Sequence, residues 1–82
     1  MNFSDQLSKK LVFMTQTDVA RETGHCVNYI HMLTHNRKLP HLTRAPEWAE
    51  FFGLTEAYVV QLILQSKLDR AGLKFKVTVR KK

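Results

Sequence analysis

The residues best suited to chemistry in this chain are its histidines and its one cysteine, and His25, Cys26, His31 and His35 lie close together in sequence. Imidazole and thiolate groups are ligands that zinc prefers, and His31 and His35, four residues apart, share one face of a helix. His25 and Cys26 lie about 13–15 Å from His35, since a helix rises about 1.5 Å per residue. One tetrahedral ion cannot span that distance, so we expect no metal site.

The other titratable residues form no catalytic pattern. The sequence contains no acid pair, no nucleophile–base constellation and no phosphate-binding loop, and most acids fit helix-capping or surface positions. Cys26 also lacks the partners that typify a redox sensor or a nucleophile. The sequence therefore predicts a protein that is not an enzyme, with no catalytic residue and no cofactor.

The charge of the chain is unevenly distributed. Residues 1–66 hold six basic and six acidic residues, 6 − 6 = 0, whereas residues 67–82 hold seven basic residues and one acid, 7 − 1 = +6. A basic excess favours a polyanionic partner. A solvated tail that aids solubility is the alternative interpretation, and charge alone does not decide between the two.

Length and hydropathy bound the class of protein. The 82 residues suit one domain with a small core. The apolar stretch at residues 11–14 is shorter than a signal-peptide core, and no run approaches the roughly 18–20 apolar residues of a membrane span. One cysteine allows no intrachain disulfide. We expect a cytoplasmic, water-soluble protein without a membrane partner.

Apolar residues recur at helical spacing in five segments, each bounded by capping signals. The predicted helices run from a Ser4 cap to about residue 13, from a Thr15 cap over 16–22, over 27–34, from a Thr43 cap over 44–52, and from a Thr55 cap to about 69–72. Gly24, Asn36 and Gly53 are expected to take the left-handed conformation that ends a helix.

The periodicity changes after Gly72. Residues 73–80 alternate between apolar and polar, which is typical of a β-strand with one wet face. The chain offers no second strand, and a lone strand leaves its backbone groups unpaired. The simplest partner is the same strand of a second copy, paired antiparallel about a two-fold axis. The apolar residues of this dimerisation element are Leu73, Phe75, Val77 and Val79.

The second and third predicted helices are short and are joined by a tight turn over residues 23–26. This is the helix-turn-helix pattern. Ala20 is small enough for the helices to cross closely, and Gly24 makes the turn. The apolar side chains that fix the angle between the helices are Val19, Ile30 and Leu33.

The segments around this turn are similar to the Cro/cI-type (xenobiotic-response-element type) helix-turn-helix repressors. Residues 16–24, QTDVARETG, resemble the family's second helix and turn, and residues 29–40 resemble its Tyr-Ile-x-x-Leu-Glu-x-Gly-Arg-Arg-x-Pro run. Residues 42–54 match the fourth-helix pattern, and the similarity covers about residues 7–62. Thr34, Asn36 and Cys26 depart from it, at positions where Glu, Gly and a capping Ser or Thr are usual.

The resemblance implies a mostly α fold, a five-helix lambda-repressor-like helix-turn-helix domain, here residues 1–69. The C-terminal β-strand in the basic tail, residues 70–82, is not part of the family's common domain and is predicted from its alternating pattern. The resemblance also implies a homodimer that binds double-stranded DNA with its third helix in the major groove. The implied base-contacting residues are Val27, Asn28 and Met32, with Asn28 suited to pair with adenine. The implied phosphate contacts are Gln16, Tyr29, Arg37, Lys38 and Arg44.

Several interpretations stay open at this point. Asn28 also fits an ordinary exposed helix position, and Met32 fits core packing as well as base contact. The leading hypothesis is a phage or bacterial transcription repressor that associates with the nucleoid when bound to DNA. An antitoxin-like regulator that binds a toxin through its tail, and a protein-interaction module on the same fold, are the alternatives.

Overall fold

The computed structural model describes residues 1–79, which form five α-helices and contain no β-strand. The helices are α1 Phe3–Lys10, α2 Gln16–Thr23, α3 Val27–Thr34, α4 Ala45–Phe52 and α5 Glu56–Arg70. The expected mostly helical fold is thus confirmed. The β-strand expected after Gly72 stays a prediction: residues 73–79 are not assigned to a strand, and residue 80 lies outside the described part of the chain.

The start of α1 differs from the prediction. Asn2, not Ser4, caps the helix: its side chain accepts the backbone N–H of Asp5, and the Asp5 carboxylate accepts the backbone N–H of Asn2. This reciprocal capping box satisfies two N–H groups at once. The Ser4 hydroxyl instead donates to the backbone carbonyl of Thr34 in α3. The helix also ends at Lys10, short of the predicted Phe13.

The start of α4 differs as well. Residues Leu42–Arg44 wind into a 3₁₀ turn that leads directly into α4, so Thr43 lies inside that turn and caps nothing. Arg44 occupies the N-cap position without a side-chain cap hydrogen bond, and Pro46 falls in the first turn. Proline is tolerated there because the first helical N–H groups have no intrahelical acceptor.

The other predicted caps are confirmed. Thr15 and Asp18 form a capping box at α2, and the Thr55 hydroxyl accepts the N–H of Tyr58 at the start of α5. Gly24, Gly53 and Asn36 have φ values of 74°, 70° and 56°, in the left-handed region that ends helices.

The core lies between all five helices. Helix α1 packs on α3 and α5, α2 packs on α3 and α4, and α4 packs on α5. Phe3 contacts Trp48 edge to face, with ring centroids 5.2 Å apart. The buried apolar residues are Phe3, Leu7, Val19, Ala20, Ile30, Leu33, Ala45, Trp48, Ala49, Val59, Leu62 and Ile63.

Polar contacts fasten the first helix to the last. The backbone N–H of Phe3 donates to the hydroxyl of the fully buried Ser66 at 2.9 Å. The Asn2 amide donates to the Asp69 carboxylate at 2.7 Å. The Phe3 N–H has no acceptor within α1, and the Ser66 hydroxyl gives it a hydrogen-bond partner inside the protein. Neither the Phe3 N–H nor the Ser66 hydroxyl is therefore buried without a partner. Among residues 1–79, no helix is both long enough and apolar enough to traverse a membrane.

Candidate nucleic-acid interface

The pair α2–α3 is built as its sequence predicts. The two eight-residue helices are joined by only three residues, Gly24 to Cys26. The backbone N–H of His25 donates to the carbonyl of Ala20 at 3.1 Å, which closes the left-handed turn at Gly24. Val19, Ala20, Ile30 and Leu33 are all buried between the helices and the rest of the core. The rigid core therefore fixes the position of α3.

The outward face of α3 follows from its inward residues. Ile30 and Leu33 are fully buried. Since each residue turns the helix by about 100°, the opposite face is centred near Asn28, with His31 and Met32 about 50° to either side and Val27 about 90° from its centre. Asn28, His31 and Val27 are exposed. His35, directly after the helix, is exposed as well, and its ring lies 4.3 Å from the ring of His31.

The three predicted base-contacting residues do not share one environment. Val27 and Asn28 lie in the first turn of α3 and are exposed, whereas Met32, four residues after Asn28 on the outward face, is half-buried. Within residues 1–79, the Asn28 side chain forms no hydrogen bond, so both its donor and its acceptor face solvent. The geometry thus places Val27 and Asn28 where a ligand can reach them and Met32 at the edge of the core.

The N-terminus of α3 suits a negatively charged partner. Cys26 has the extended backbone of an N-cap, with φ −79° and ψ 155°, but its side chain makes no cap hydrogen bond, and the first turn holds no acid. The first N–H groups of a helix have no intrahelical acceptor, and the helix dipole adds partial positive charge there. An anion at this end of α3 would meet both effects.

The residues after α3 form a well-defined turn. The Arg37 N–H donates to the Met32 carbonyl at 2.9 Å and the Asn36 N–H donates to the Leu33 carbonyl at 3.2 Å, with Asn36 left-handed between them. This is a Schellman motif, which fixes where the chain leaves the helix. The Arg37 and Lys38 side chains are exposed and take part in no ion pair with residues 1–79. Both cations are therefore available to an external anion.

The other predicted phosphate contacts are less open. Gln16, the first residue of α2, and Tyr29 are half-buried. Burial raises the pKa of the Tyr29 phenol, against a smaller opposite effect of Arg44, so the hydroxyl stays protonated and able to donate at neutral pH. The Arg44 guanidinium lies 2.8 Å from the Glu47 carboxylate. This exposed pair is weak, so a phosphate could displace Glu47 at little cost.

The turn between α2 and α3 contacts α4 through stacked aromatic rings. The His25 ring lies parallel to the Trp48 ring, with centroids 5.8 Å apart and an interplanar angle of 6°. The same His25 ring lies 4.8 Å from Tyr29 on α3. Trp48 is a buried core residue on α4, so the stack connects the helix-turn-helix pair to the rest of the domain. This contact between the turn and α4 was not predicted from residue spacing.

The segment around α3 also has a charge pattern that was not predicted. Residues 23–46, which comprise the turn, α3 and the segment up to α4, contain no Asp or Glu. They hold Arg37, Lys38 and Arg44 and all four histidines, the fourth being His41. The sum over residues 1–66 conceals this pattern because the acids lie in α1, α2, α4 and α5. A count restricted to the segment around α3 finds it.

The four predicted dimerisation residues lie along one segment beside α5. Leu73 and Phe75 are 47% and 67% exposed, whereas Val77 and Val79 are half-buried.

In the part of the chain that the structure describes, no group of three His, Cys, Asp or Glu side chains is placed to hold a metal ion. A scan of protein-family models, a search of curated proteins and a search of solved structures each found no match for the chain.

Proposed function

We propose that this protein is a sequence-specific double-stranded DNA-binding transcription regulator of the Cro/cI helix-turn-helix type, in which two copies read a pseudopalindromic operator. The observation that supports it best is the exposed face of α3, held rigidly by buried Ile30 and Leu33 within a segment that has three cations and no acid. DNA is the common polyanion that presents a groove wide enough to admit a helix.

Base recognition is assigned to the first turn of α3. Asn28 presents an unpaired amide, which can donate to N7 and accept from the N6 amino group of adenine in a bidentate pair. Val27, 42% exposed, can contact a thymine methyl group. Met32 is placed at the edge of the interface, since it is half-buried. His31 shares the outward face and joins the candidates for contact with the operator.

Phosphate contacts position α3 and supply most of the affinity. Arg37 and Lys38 lie in the turn after α3, and Arg44 precedes α4, so the cations lie after the recognition helix along the chain. The N–H groups at the start of α3 and the Tyr29 hydroxyl add neutral donors. Each phosphate neutralised releases counterions, so the affinity for any duplex should fall steeply with salt.

Two copies would place their α3 helices in successive major grooves, about 34 Å apart along one face of the duplex. Bound in this way over a promoter, the dimer would exclude RNA polymerase, which is the steric mechanism of a repressor. The segment after Gly72 is the candidate for joining the two copies.

The test is selection of bound sequences from a randomised duplex library, followed by sequencing. The wild-type protein should enrich a two-fold symmetric motif, and an Asn28→Ala, Arg37→Ala variant should bind weakly with a relaxed motif. Lys9→Ala, which removes an exposed cation from α1, is the matched control and should leave the motif unchanged. If wild type enriches no sequence, or binds all duplexes equally with or without Asn28 and Arg37, the DNA-reading role of α3 is wrong and a protein partner becomes the better hypothesis.

A further inference from the structure

Two histidines lie side by side at the end of α3. His31 is in the last turn of the helix and His35 follows the helix directly, and both side chains are exposed. The backbone N–H of His35 donates to the carbonyl of His31 at 3.2 Å, so the helical turn continues through His35. The two rings meet edge to face, with centroids 4.3 Å apart and an interplanar angle of 60°. One helical turn therefore presents both imidazoles to solvent from the same side.

Two imidazoles with this spacing can bind one metal ion together. Histidines four residues apart on one helix face are a known zinc-binding arrangement. Each metal–nitrogen bond is about 2.0–2.1 Å, so the two ligand nitrogens must lie roughly 3 Å apart. Rings whose centroids are 4.3 Å apart can reach this separation by rotation of the side chains alone. His25 and Cys26 are too distant to join a four-residue site with His35, but a chelate of two residues needs neither.

The chemistry of the pair selects the class of ion. Mg²⁺ and Ca²⁺ prefer oxygen ligands, and residues 23–46 contain no Asp or Glu. Neutral imidazole suits the later divalent cations of the first transition row, such as Cu²⁺, Ni²⁺ and Zn²⁺. With two ligands from the protein, water fills the other coordination positions. The pair therefore suits a late first-row cation that is bound from one side and remains open to solvent on the other.

Two neighbouring charges limit the affinity. Arg37 and Lys38, both exposed, lie two and three residues after His35. Like charges within about 10 Å repel each other at moderate ionic strength, so these side chains oppose a further cation. The ion should therefore bind more weakly than in a closed structural site with four protein ligands. Such a site fills and empties as the concentration of free metal changes.

The pair also lies on the side of α3 that is assigned to the operator. His35 lies seven residues after Asn28, which is two turns further along the same face of the helix. His31 lies between them, within the outward face. A cation bound by the two histidines, together with its waters, would occupy space that the base edges of a duplex need for close approach.

We propose that His31 and His35 form a two-imidazole chelate for a late first-row divalent cation, and that the bound cation and the operator exclude one another from the outward face of α3. The chelate depends only on α3, whereas the exclusion rests on the proposed function. Through this site, a rise in free metal would release the protein from its operator.

Metal titration of the DNA-free protein tests the chelate. The probes are Zn²⁺ and Cu²⁺, added as chlorides and followed by calorimetry, and the background is Cys26→Ser, which removes the exposed thiol as a competing ligand. The first equivalent should bind more tightly for Cu²⁺ than for Zn²⁺. With Zn²⁺, the NMR signals of the His31 and His35 rings should shift together. Zn²⁺ that shifts neither ring, or only one of them, overturns the chelate.

Variants in the same background separate a chelate from independent weak sites. His31→Gln or His35→Gln leaves one imidazole and should weaken binding by at least about a hundredfold, because the second ligand no longer binds intramolecularly. His41→Gln removes an exposed histidine outside the pair and should leave the affinity unchanged. Val27→His combined with His35→Gln makes a new pair four residues apart with His31 and should restore binding. An equal loss in His41→Gln, or a loss without this recovery, would contradict the chelate.

All of the substituted side chains are exposed, so each variant should retain the helical content of the parent, which circular dichroism checks. A variant that lost helix would be replaced by the corresponding alanine substitution, since alanine favours helix at exposed positions.

The exclusion is measured as the change in operator affinity on adding Zn²⁺. The Cys26→Ser parent should bind its selected operator progressively more weakly as Zn²⁺ fills the site, whereas His35→Gln should show no change at the same Zn²⁺ concentrations. Each protein is compared with itself, so a direct contribution of His35 to DNA binding cancels. Zn²⁺ that fills the site and leaves operator binding unchanged or stronger would overturn the exclusion. A protein that binds metal as described but selects no sequence would retain the chelate and lose the proposed function.

Discussion

Replacing Asn28 by alanine should separate DNA recognition from folding. The Asn28 side chain is exposed and makes no hydrogen bond to residues 1–79, so its removal leaves no buried group unsatisfied. Alanine is also the better helix former, by less than about 0.7 kcal/mol. The thermal midpoint should therefore stay the same or rise slightly. Any decrease in binding then comes from the interface.

The expected decrease can be stated for each half-site. A bidentate amide–adenine pair contributes about 1–3 kcal/mol of discrimination against the wrong base. A dimer on a symmetric operator uses the pair twice, so the variant should lose about 2–6 kcal/mol of binding free energy if the two half-sites contribute independently. Titration of labelled duplexes at fixed salt measures this decrease, with the selected operator compared against one whose adenines are replaced in both half-sites.

Comparing the affinities of each variant for the two duplexes distinguishes a base contact from a phosphate contact. Asn28→Ala should weaken binding to the operator and have little effect on the substituted duplex, so that the two affinities converge. Arg37→Ala should weaken both by the same factor and reduce the slope of log affinity against log salt by about 1 for each phosphate that Arg37 neutralises. If Asn28→Ala weakened both duplexes equally, Asn28 would bind the phosphate backbone, and if it weakened neither, the assigned orientation of α3 would be wrong.

Three further predictions concern the elements that position α3. Cys26→Ser should stabilise the protein by about 0.5–1 kcal/mol, since the backbone at Cys26 already has N-cap geometry and lacks only the hydroxyl acceptor; thermal unfolding would show it, and no gain would mean that the first N–H groups are satisfied otherwise. Asn36→Gly should raise the midpoint by about 4–8 °C, since it relieves a left-handed Asn whose buried side-chain oxygen has no partner among the described residues; a lower midpoint would show that the Asn36 amide contributes more than the strain costs. Hydrogen bonds from Thr15, with a smaller effect of Arg21, lower the pKa of Asp18, so its contribution to stability is complete above the ordinary value of 3.8 and is lost as the pH falls below it. Urea unfolding of Asp18→Asn should therefore depend less on pH in the acid range than that of wild type, and an unchanged profile would contradict the assignment.

For most of the helices, apolar spacing and capping residues were sufficient to predict where the helix begins or ends. The bounds of α3 and the ends of α2 and α4 follow from apolar spacing together with Gly24, Asn36 and Gly53, because each of these signals acts within one turn of the chain. The predicted starts of α1 and α4 were wrong for different reasons: the Ser4 hydroxyl has a partner in another helix, and Thr43 lies inside the 3₁₀ turn Leu42–Arg44 rather than at the cap position. Ser4 donates to a carbonyl of α3, a hydrogen bond across 30 residues that sequence spacing does not reveal.

The candidate interface was predictable in part. The exposure of Val27, Asn28, Arg37 and Lys38 follows from the helical period and from the turn after α3, both local features. The pairing of Arg44 with Glu47 was open to prediction too, since charges three residues apart on a helix are neighbours. The stack of His25 on Trp48 was not, because it depends on how α4 packs against the turn.

The structure of the tail could be predicted only in part from the periodicity of its sequence. Alternation over residues 73–80 indicates an extended chain, and an extended chain needs partners for both of its edges. The expected partner was a second copy alone, whereas in the structure Gln61 and Gln65 of α5 hydrogen-bond the Phe75 carbonyl and the N–H groups of Val77 and Val79. These hydrogen bonds are possible because side chains four residues apart on a helix are separated by nearly the same distance as backbone groups two residues apart in an extended chain.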